Sequence, residues 1–582
     1  MAMMMMMGSS PCGFENVTRQ RFQAAAHVRP PPLLHLLRRC SSPEDLSRIH
    51  ALVVKIGGPP HLTSHLLKAA VEVESATLRL PSSLFARISR PDISAFNVMV
   101  RGYAQSESPL EALLLYSTML ETSVVPDRHT FLFIIKACGR LNLLQEAMAV
   151  HGHVVKAGFS CDVFVLTALI HAYAIVGRLE SARQLFDQMP ERDVVSWNAL
   201  ISGYCRGGRV GDARKLFDEM PVQKTLASWN AIIAGYVQNE LYRKALMVLN
   251  DMQCKKVKMD VVTVISALSA CASLGALTIG EWLHKYVARI FKCHVISWNP
   301  VSGQLIGEEL QERMSRAKTL TEGHDKRLAL GNALISMYSK CGHINKALLV
   351  FEAMPVKNVI SWTSIIDGCA LHGEGRRALN LFNRMKKTVV IPNAVTYVAV
   401  LRACSHSGLV NEGMLYFDEM LTEYGIEPQV EHYGCMVDLF CRAGMLDAAY
   451  EFTMSMPVQP DVVTWRNLLC GCRTHGDHQL GRIVADHIMQ RGLQEEEGLC
   501  VLISSIYAAG GRWEDAAYVR KKMKRCGIRK TPGCSSIEVD NMVHEFVKGD
   551  KSHPKTREIY DMIADMMKNL RYSENCSPNF FD

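Results

Sequence analysis

Residues 194–221 read VVSWNALISGYCRGGRVGDARKLFDEMP, and two helical periods are written into them. Trp197, Leu200, Ile201 and Tyr204 fall at i, i+3, i+4 and i+7, one face of a helix. Gly207 and Gly208 follow, supplying the left-handed conformation that ends it. Val210, Ala213, Leu216, Phe217 and Met220 then share one face of a second helix, which Pro221 closes. Neither helix is long enough to stand alone in water, so the hairpin predicts neighbours that stack on it and bury the apolar faces.

The neighbours are in the sequence. LASWNAIIAGYVQNELYRKALMVLNDM (226–252), VISWTSIIDGCALHGEGRRALNLFNRM (359–385) and LALGNALISMYSKCGHINKALLVFEAMP (328–355) share the same skeleton. Counted from the first residue of the first helix, units start at 93, 128, 163, 194, 226 and 261, then at 328, 359, 394 and 430. The spacings are 35, 35, 31, 32 and 35 residues, and later 31, 35, 36 and 32. The fold class expected is all-α, a right-handed helical-hairpin solenoid with a small α+β C-terminal extension. The array occupies 93–461. Residues 290–327 interrupt it, as an insertion or as a degenerate unit, since 295–299 repeat the opening VISWN but Pro300 and Gly303 follow at once.

This alternation resembles the pentatricopeptide repeat family, in the plant subclass that cycles P, L and S units. The resemblance runs from about residue 31 to 571, with 31–92 (LLHLLRRCSSPEDLSRIHALVVKIGG and onward) similar to a degenerate pair. It implies a sequence-specific single-stranded RNA-binding factor, with each base read by the fifth and last residues of a unit. Carried over, Asn97 with Asp127 implies U, Thr167 with Asp193 G, Asn198 with Thr225 a pyrimidine and Asn230 with Asp260 U. Asn332 with Asn358 implies a pyrimidine and Thr363 with Asn393 implies A. Leu132, Ile265 and Val398 stand at the fifth position of L units and cannot hydrogen-bond a base, and Val398/Gln429 and Gly434/Asp461 are weak pairs. The implied core is 5′-U-x-G-Y-U-x-Y-A-x-x-n-n-n-C. Asp or Asn before a helix is also a good N-cap, but capping alone does not explain why polar and apolar fifth residues alternate.

Two further hairpins, 462–481 and 501–530, resemble the E1 and E2 motifs, within 462–530, that end RNA-editing members of the subclass. TPGCSSIEVDNMVHEFVKGDKSHPKTREIY (531–560) resembles the PG-box and E+ segment, placed at 531–571 with a tail at 572–582. Ile537, Val539 and Val543 alternate with polar residues, so a hairpin turning at Asp540-Asn541 is expected. Pro532, Gly533, Glu538 and His544 are the candidates for partner recruitment. Zinc-dependent cytidine deaminases need H-x-E and P-C-x-x-C. The chain offers only His372-Gly373-Glu374, on an inter-helix turn, and no C-x-x-C. The reading is therefore a non-enzyme without cofactor or metal that selects a cytidine for C-to-U editing of organelle transcripts. It would recruit a deaminase of the DYW type in trans, with small accessory RNA-editing factors as further partners. Alternatives are an organelle RNA stability, splicing or translation factor, or a protein-binding helical scaffold.

The composition agrees with a folded helical array. The chain has 582 residues, 48% hydrophobic and 21% charged, with Lys and Arg exceeding acids by eight (65 − 57). Candidates for phosphate contacts are Lys255, Lys256 and Lys258 and the run Lys521 to Arg525, with a solvated helix surface as the alternative for each. No apolar run spans a bilayer: 163–176 is too short and carries His171, so no membrane role is expected. The 19 cysteines fall singly within helical patterns, as small buried thiols of a reducing compartment. Residues 1–30, with Arg19, Arg21 and Arg29 against Glu15, have the composition of an organellar transit peptide, mitochondrial or chloroplast, and are expected to be disordered.

Overall fold

The computed structural model describes residues 60–74, 77–88, 90–221, 223–290, 321–490, 497–527, 533–539, 542–547, 551 and 553–574, with Leu46, Arg48, Ile49 and Ala51. The transit-peptide reading, the Asp540-Asn541 turn, Pro532 and residues 291–320 lie outside them. Helices in antiparallel pairs make up nearly all of the described chain, an α-helical solenoid architecture. Compactness divides the chain into residues 1–235 and 236–582.

In the first unit, first helices run Ile93–Gln105, Arg128–Leu141, Val163–Ile175 and Val194–Arg206, each followed by a second helix, as Val210–Glu219 follows Val194–Arg206. Trp197, Leu200, Ile201 and Tyr204 are buried as their period requires, as are Val210, Ala213, Leu216 and Phe217. The two glycines of the turn act differently. Gly208 is left-handed at φ 75, but Gly207 has φ −80 and instead makes room, since a Cβ there would lie 2.6 Å from Leu179 Cδ1. Asn142 fills the left-handed position after Arg128–Leu141.

Successive hairpins are joined by two recurring contacts. In several hairpins a phenylalanine late in the second helix meets the aromatic residue of the next first helix edge-on. Phe186 and Trp197 have centroids 4.8 Å apart, and Phe217 and Trp229 5.0 Å. First helices also approach closely through a glycine at their tenth position. A Cβ on Gly203 would lie 2.4 Å from Ala174 Cβ, and one on Gly235 2.2 Å from Cys205 Sγ. This explains part of the cysteine inventory: a thiol is small enough for these tight seams. Burial pushes the thiols of Cys138 and Cys205 up to about 12, so they stay neutral.

The second unit continues the same construction. Its first helices are Val261–Leu274, Thr321–Lys340, Val359–Leu371, Ala394–Ser407, Val430–Arg442, Val462–His475 and Glu497–Ala509. Phe351 meets Trp362 at 4.8 Å and Phe382 meets Tyr397 at 5.4 Å. Val261–Leu274 and Thr321–Lys340, on either side of the interruption, pack on each other as consecutive first helices do. Gly280 lies against the Met337 side chain, and His284 Nδ1 is 2.9 Å from the Tyr338 hydroxyl. After Trp513–Arg525, strands β1 (Cys534–Val539) and β2 (Met542–Val547) pair antiparallel, with Val539 opposite Met542 and Ile537 opposite His544. The helix Thr556–Glu574 follows.

Candidate nucleic-acid interface

Most first helices start at a capping residue that is also the last residue of the preceding repeat. The Oδ1 atoms of Asp127, Asp193, Asp260, Asn358 and Asn393 accept from the backbone N–H two residues into the helix, at 2.8–3.0 Å. Caps of this kind contribute about 1 kcal/mol each. Capping is thus real at these positions, and what matters is what the remaining polar atoms do.

They meet the fifth residue of the preceding repeat. The Asn97 amide donates to Asp127 Oδ1 at 3.0 Å and Oδ2 at 3.1 Å. Asn332 donates to Asn358 Oδ1 at 3.3 Å. Thr363 reaches Asn393 through Thr396, whose hydroxyl is 2.9 Å from both Thr363 Oγ1 and Asn393 Oδ1. The linking group is a buried hydroxyl at the third position of the next first helix. Thr130 Oγ1 donates to Asn97 Oδ1 at 2.6 Å, and Ser361 Oγ donates to Asn332 Oδ1 at 2.6 Å. Ser196, Ser228, Thr263 and Thr464 occupy the same place and are fully buried. Sequence reading passed over this hydroxyl, although Ser or Thr stands at the third position of six of the ten units. Its effect is to lock the fifth side chain in one orientation before any ligand arrives.

Other pairs are less closed. Thr167 and Asp193 share no hydrogen bond, nor do Asn198 and Thr225, among the described residues. Thr167 Oγ1 and Asn198 Oδ1 are buried without a protein partner. Such atoms cost about 1–3 kcal/mol until satisfied. Thr225 is 3.2 Å from Ser228 Oγ through its own hydroxyl. Asn230 is half-buried on Leu226–Gln238, and Asp260 caps Val261–Leu274. Leu132, Ile265 and Val398 are half-buried at the fifth position, while Gly434 is buried and Gln429 exposed. Asp461 caps Val462–His475.

The electrostatics favour charge at Asp127. Desolvation raises its pKa, but the bonds from the Thr130 N–H, Asn97 and the Thr130 hydroxyl outweigh this and hold the carboxyl below its usual range. It is an acceptor only at neutral pH.

A second set of residues was also missed. Phe164, Val195, Val262, Ile360 and Val395 stand at the second position of their helices and are exposed. They lie three residues before the fifth position, hence on the same helix face. Half of the repeats therefore set an exposed apolar side chain beside the fifth residue, suited to the faces of flat rings.

At the C-terminal end Gly533 is exposed ahead of β1, Glu538 lies in β1 and His544 in β2. His544 Nδ1 is 2.9 Å from His553 Nε2. His372 contacts the Ser339 carbonyl at 2.7 Å and Glu374 pairs with Arg377 at 2.9 Å. Among the described residues no group of three His, Cys, Asp or Glu is placed to hold a metal ion, and no helix is long and apolar enough to cross a membrane.

A stack of helical hairpins with capped polar pairs at several of its junctions defines a helical-repeat protein of modular design. The chain belongs to the pentatricopeptide repeat family. Models of the repeat match residues 191–221, of the repeat family 91–140, 224–273 and 357–406, and of a further repeat form 164–194, 332–359, 395–424 and 431–458. An E motif matches 475–538 and an E+ motif 543–570. A pentatricopeptide repeat-containing protein of Arabidopsis thaliana, named as chloroplastic/mitochondrial, is 36% identical over 559 residues, covering 93% of this chain and 78% of its own. The chloroplastic protein ELI1 of the same plant is 37% identical over 583 residues, covering 98% and 86%. The crystal structure of the pentatricopeptide repeat protein PPR10 from maize superposes with a TM-score of 0.51 at 17% identity, covering 89% of this chain and 77% of that one, a likeness of fold.

Proposed function

We propose that this protein binds one single-stranded RNA, one base per repeat, and marks a cytidine in an organelle transcript for C-to-U editing by a deaminase supplied in trans. The observation that carries the reading is the hydrogen-bonded pair of fifth and last residues at Asn97/Asp127, repeated at Asn332/Asn358 and, through the Thr396 hydroxyl, at Thr363/Asn393. The chemistry of the last residue sorts the bases. A carboxylate accepts the ring N–H that uracil and guanine carry, so Asp127 and Asp193 suit U and G. An amide can donate to the bare ring nitrogen of adenine or cytosine, which suits Asn393 and Asn358. Asn230 with Asp260 follows the same rule for U. Asn198, whose carbonyl is unpartnered, accepts from a pyrimidine edge beside Thr225.

Direct packing of Val261–Leu274 on Thr321–Lys340 supports treating residues 291–320 as an insertion that adds no base position. Relatives named as chloroplastic or mitochondrial support an organelle address. The E and E+ matches support recruitment through 531–571, including Pro532, Gly533, Glu538 and His544, of a DYW-type deaminase and small accessory editing factors. In this reading the chain is no enzyme and catalysis is borrowed. The test is a knockout followed by sequencing of organelle transcripts. Loss of editing at a cytidine preceded by the expected core supports the proposal. Intact editing with altered transcript ends or splicing overturns it in favour of an RNA-stability or processing role.

A further inference from the structure

The helix Trp513–Arg525 carries a surface that the paired readout does not use. Ala516 and Val519 are its buried residues. At 100° per residue the side away from them collects Tyr518, Lys521, Lys524 and Arg525, with Trp513 at its edge, all exposed. Trp513 is 69% exposed and Tyr518 60%. Single exposed aromatics are ordinary, but these two flank a stripe of three cations that holds one carboxylate, Glu514.

Cations on several other second helices are held by carboxylates, as Arg183 with Asp187, Arg214 with Asp218 and Arg384 with Glu352. Arg512, just before this helix, is held by Asp486 and Asp515. Lys521, Lys524 and Arg525 make no salt bridge among the described residues.

We propose that this face is a second contact for single-stranded RNA, beyond the last repeat, with Trp513 and Tyr518 stacking on bases and Lys521, Lys524 and Arg525 meeting phosphates. It rests on the RNA-binding reading above. The charge selects a polyanion. The open rings select one whose bases are unpaired, because duplex bases are already stacked on each other and a lipid surface offers none.

The test compares full-length protein with Trp513→Ala/Tyr518→Ala and Lys521→Ala/Lys524→Ala/Arg525→Ala variants. Alanine preserves the helix, and circular dichroism checks it. The probes are an RNA holding only the expected core and RNAs extended by about ten nucleotides at either end. One extension should tighten wild-type binding about tenfold, and each variant should abolish that gain, the Trp513→Ala/Tyr518→Ala variant keeping its affinity for the core RNA within about twofold. The triple variant should also reduce the salt slope for the extended RNA by about 2. Equal binding of the extended RNAs by wild type and variants overturns the proposal and leaves the repeat readout standing. If those variants nevertheless lose editing in the plant, the face serves a protein partner instead. Failure of the wild type to bind even the core RNA defeats the underlying reading, and this proposal with it.

Discussion

With Asp127 Oδ1 taken by the Thr130 amide and the Asn97 amide spanning both carboxylate oxygens, the pair keeps one Asn97 N–H and the spare lone pairs for a base. Asp127→Asn should therefore keep the cap, because Asn and Asp cap about equally well, while moving preference at that base from U toward C. Binding to RNAs carrying each base at the position measures it, with unchanged thermal stability as the control. The same carboxyl has a lowered pKa, so its contribution to stability is complete above about pH 4 and is lost as pH falls through the native value. Thr363→Asn recreates the Asn332/Asn358 combination and should turn an A-preferring repeat toward pyrimidines by about tenfold, the lower range for a bidentate base contact. Unchanged base preference in both variants would argue that these pairs only cap helices.

Helices here are short because stacking, not intrinsic propensity, stabilises them. Their spacing is set at the tenth residue of the first helix, where Gly203, Gly235 and Gly368 face Ala174, Cys205 and Ser339. Gly203→Ala would drive its Cβ to 2.4 Å from that of Ala174, and should destabilise the protein by about 1–3 kcal/mol. Gly211→Ala, in the second helix of the same hairpin with nothing within 4 Å, should stabilise by about 0.5–1 kcal/mol. Denaturant titration of the two variants gives opposite signs if the seam is as tight as described. The Phe-to-Trp contacts Phe186/Trp197, Phe217/Trp229 and Phe351/Trp362 join second helix to next first helix, and fix the angle at which hairpins succeed each other.

For the whole molecule, readout and recruitment occupy different stretches of chain in the proposed function. Removing the segment from Gly533 onward, with β1, β2 and Thr556–Glu574, should leave affinity for the core RNA within about twofold, since no readout pair is touched. It should abolish editing in a complemented knockout line. Editing that survives this truncation would place recruitment elsewhere. The phosphate term should appear as a binding constant that falls with salt, with exposed Lys256 and Lys258 among its contributors.

Periodicity in 194–221 was enough to specify paired helices and their buried faces, because a solenoid's contacts are local and each repeat states them again. The fifth and last positions recur along the sequence for the same reason, and the structure brings Asn97 to Asp127 and Asn332 to Asn358. Three things were not legible in the sequence. That Gly207 makes space while Gly208 turns the chain depends on where Leu179 sits. That Thr130 and Ser361 lock Asn97 and Asn332 depends on hydroxyls from the following repeat, about 30 residues away in sequence. That Val261–Leu274 meets Thr321–Lys340 across the interruption is likewise invisible to any periodicity. A pattern along the chain records which face of a helix is apolar; which atoms fill the space opposite that face is settled only when a second helix arrives there.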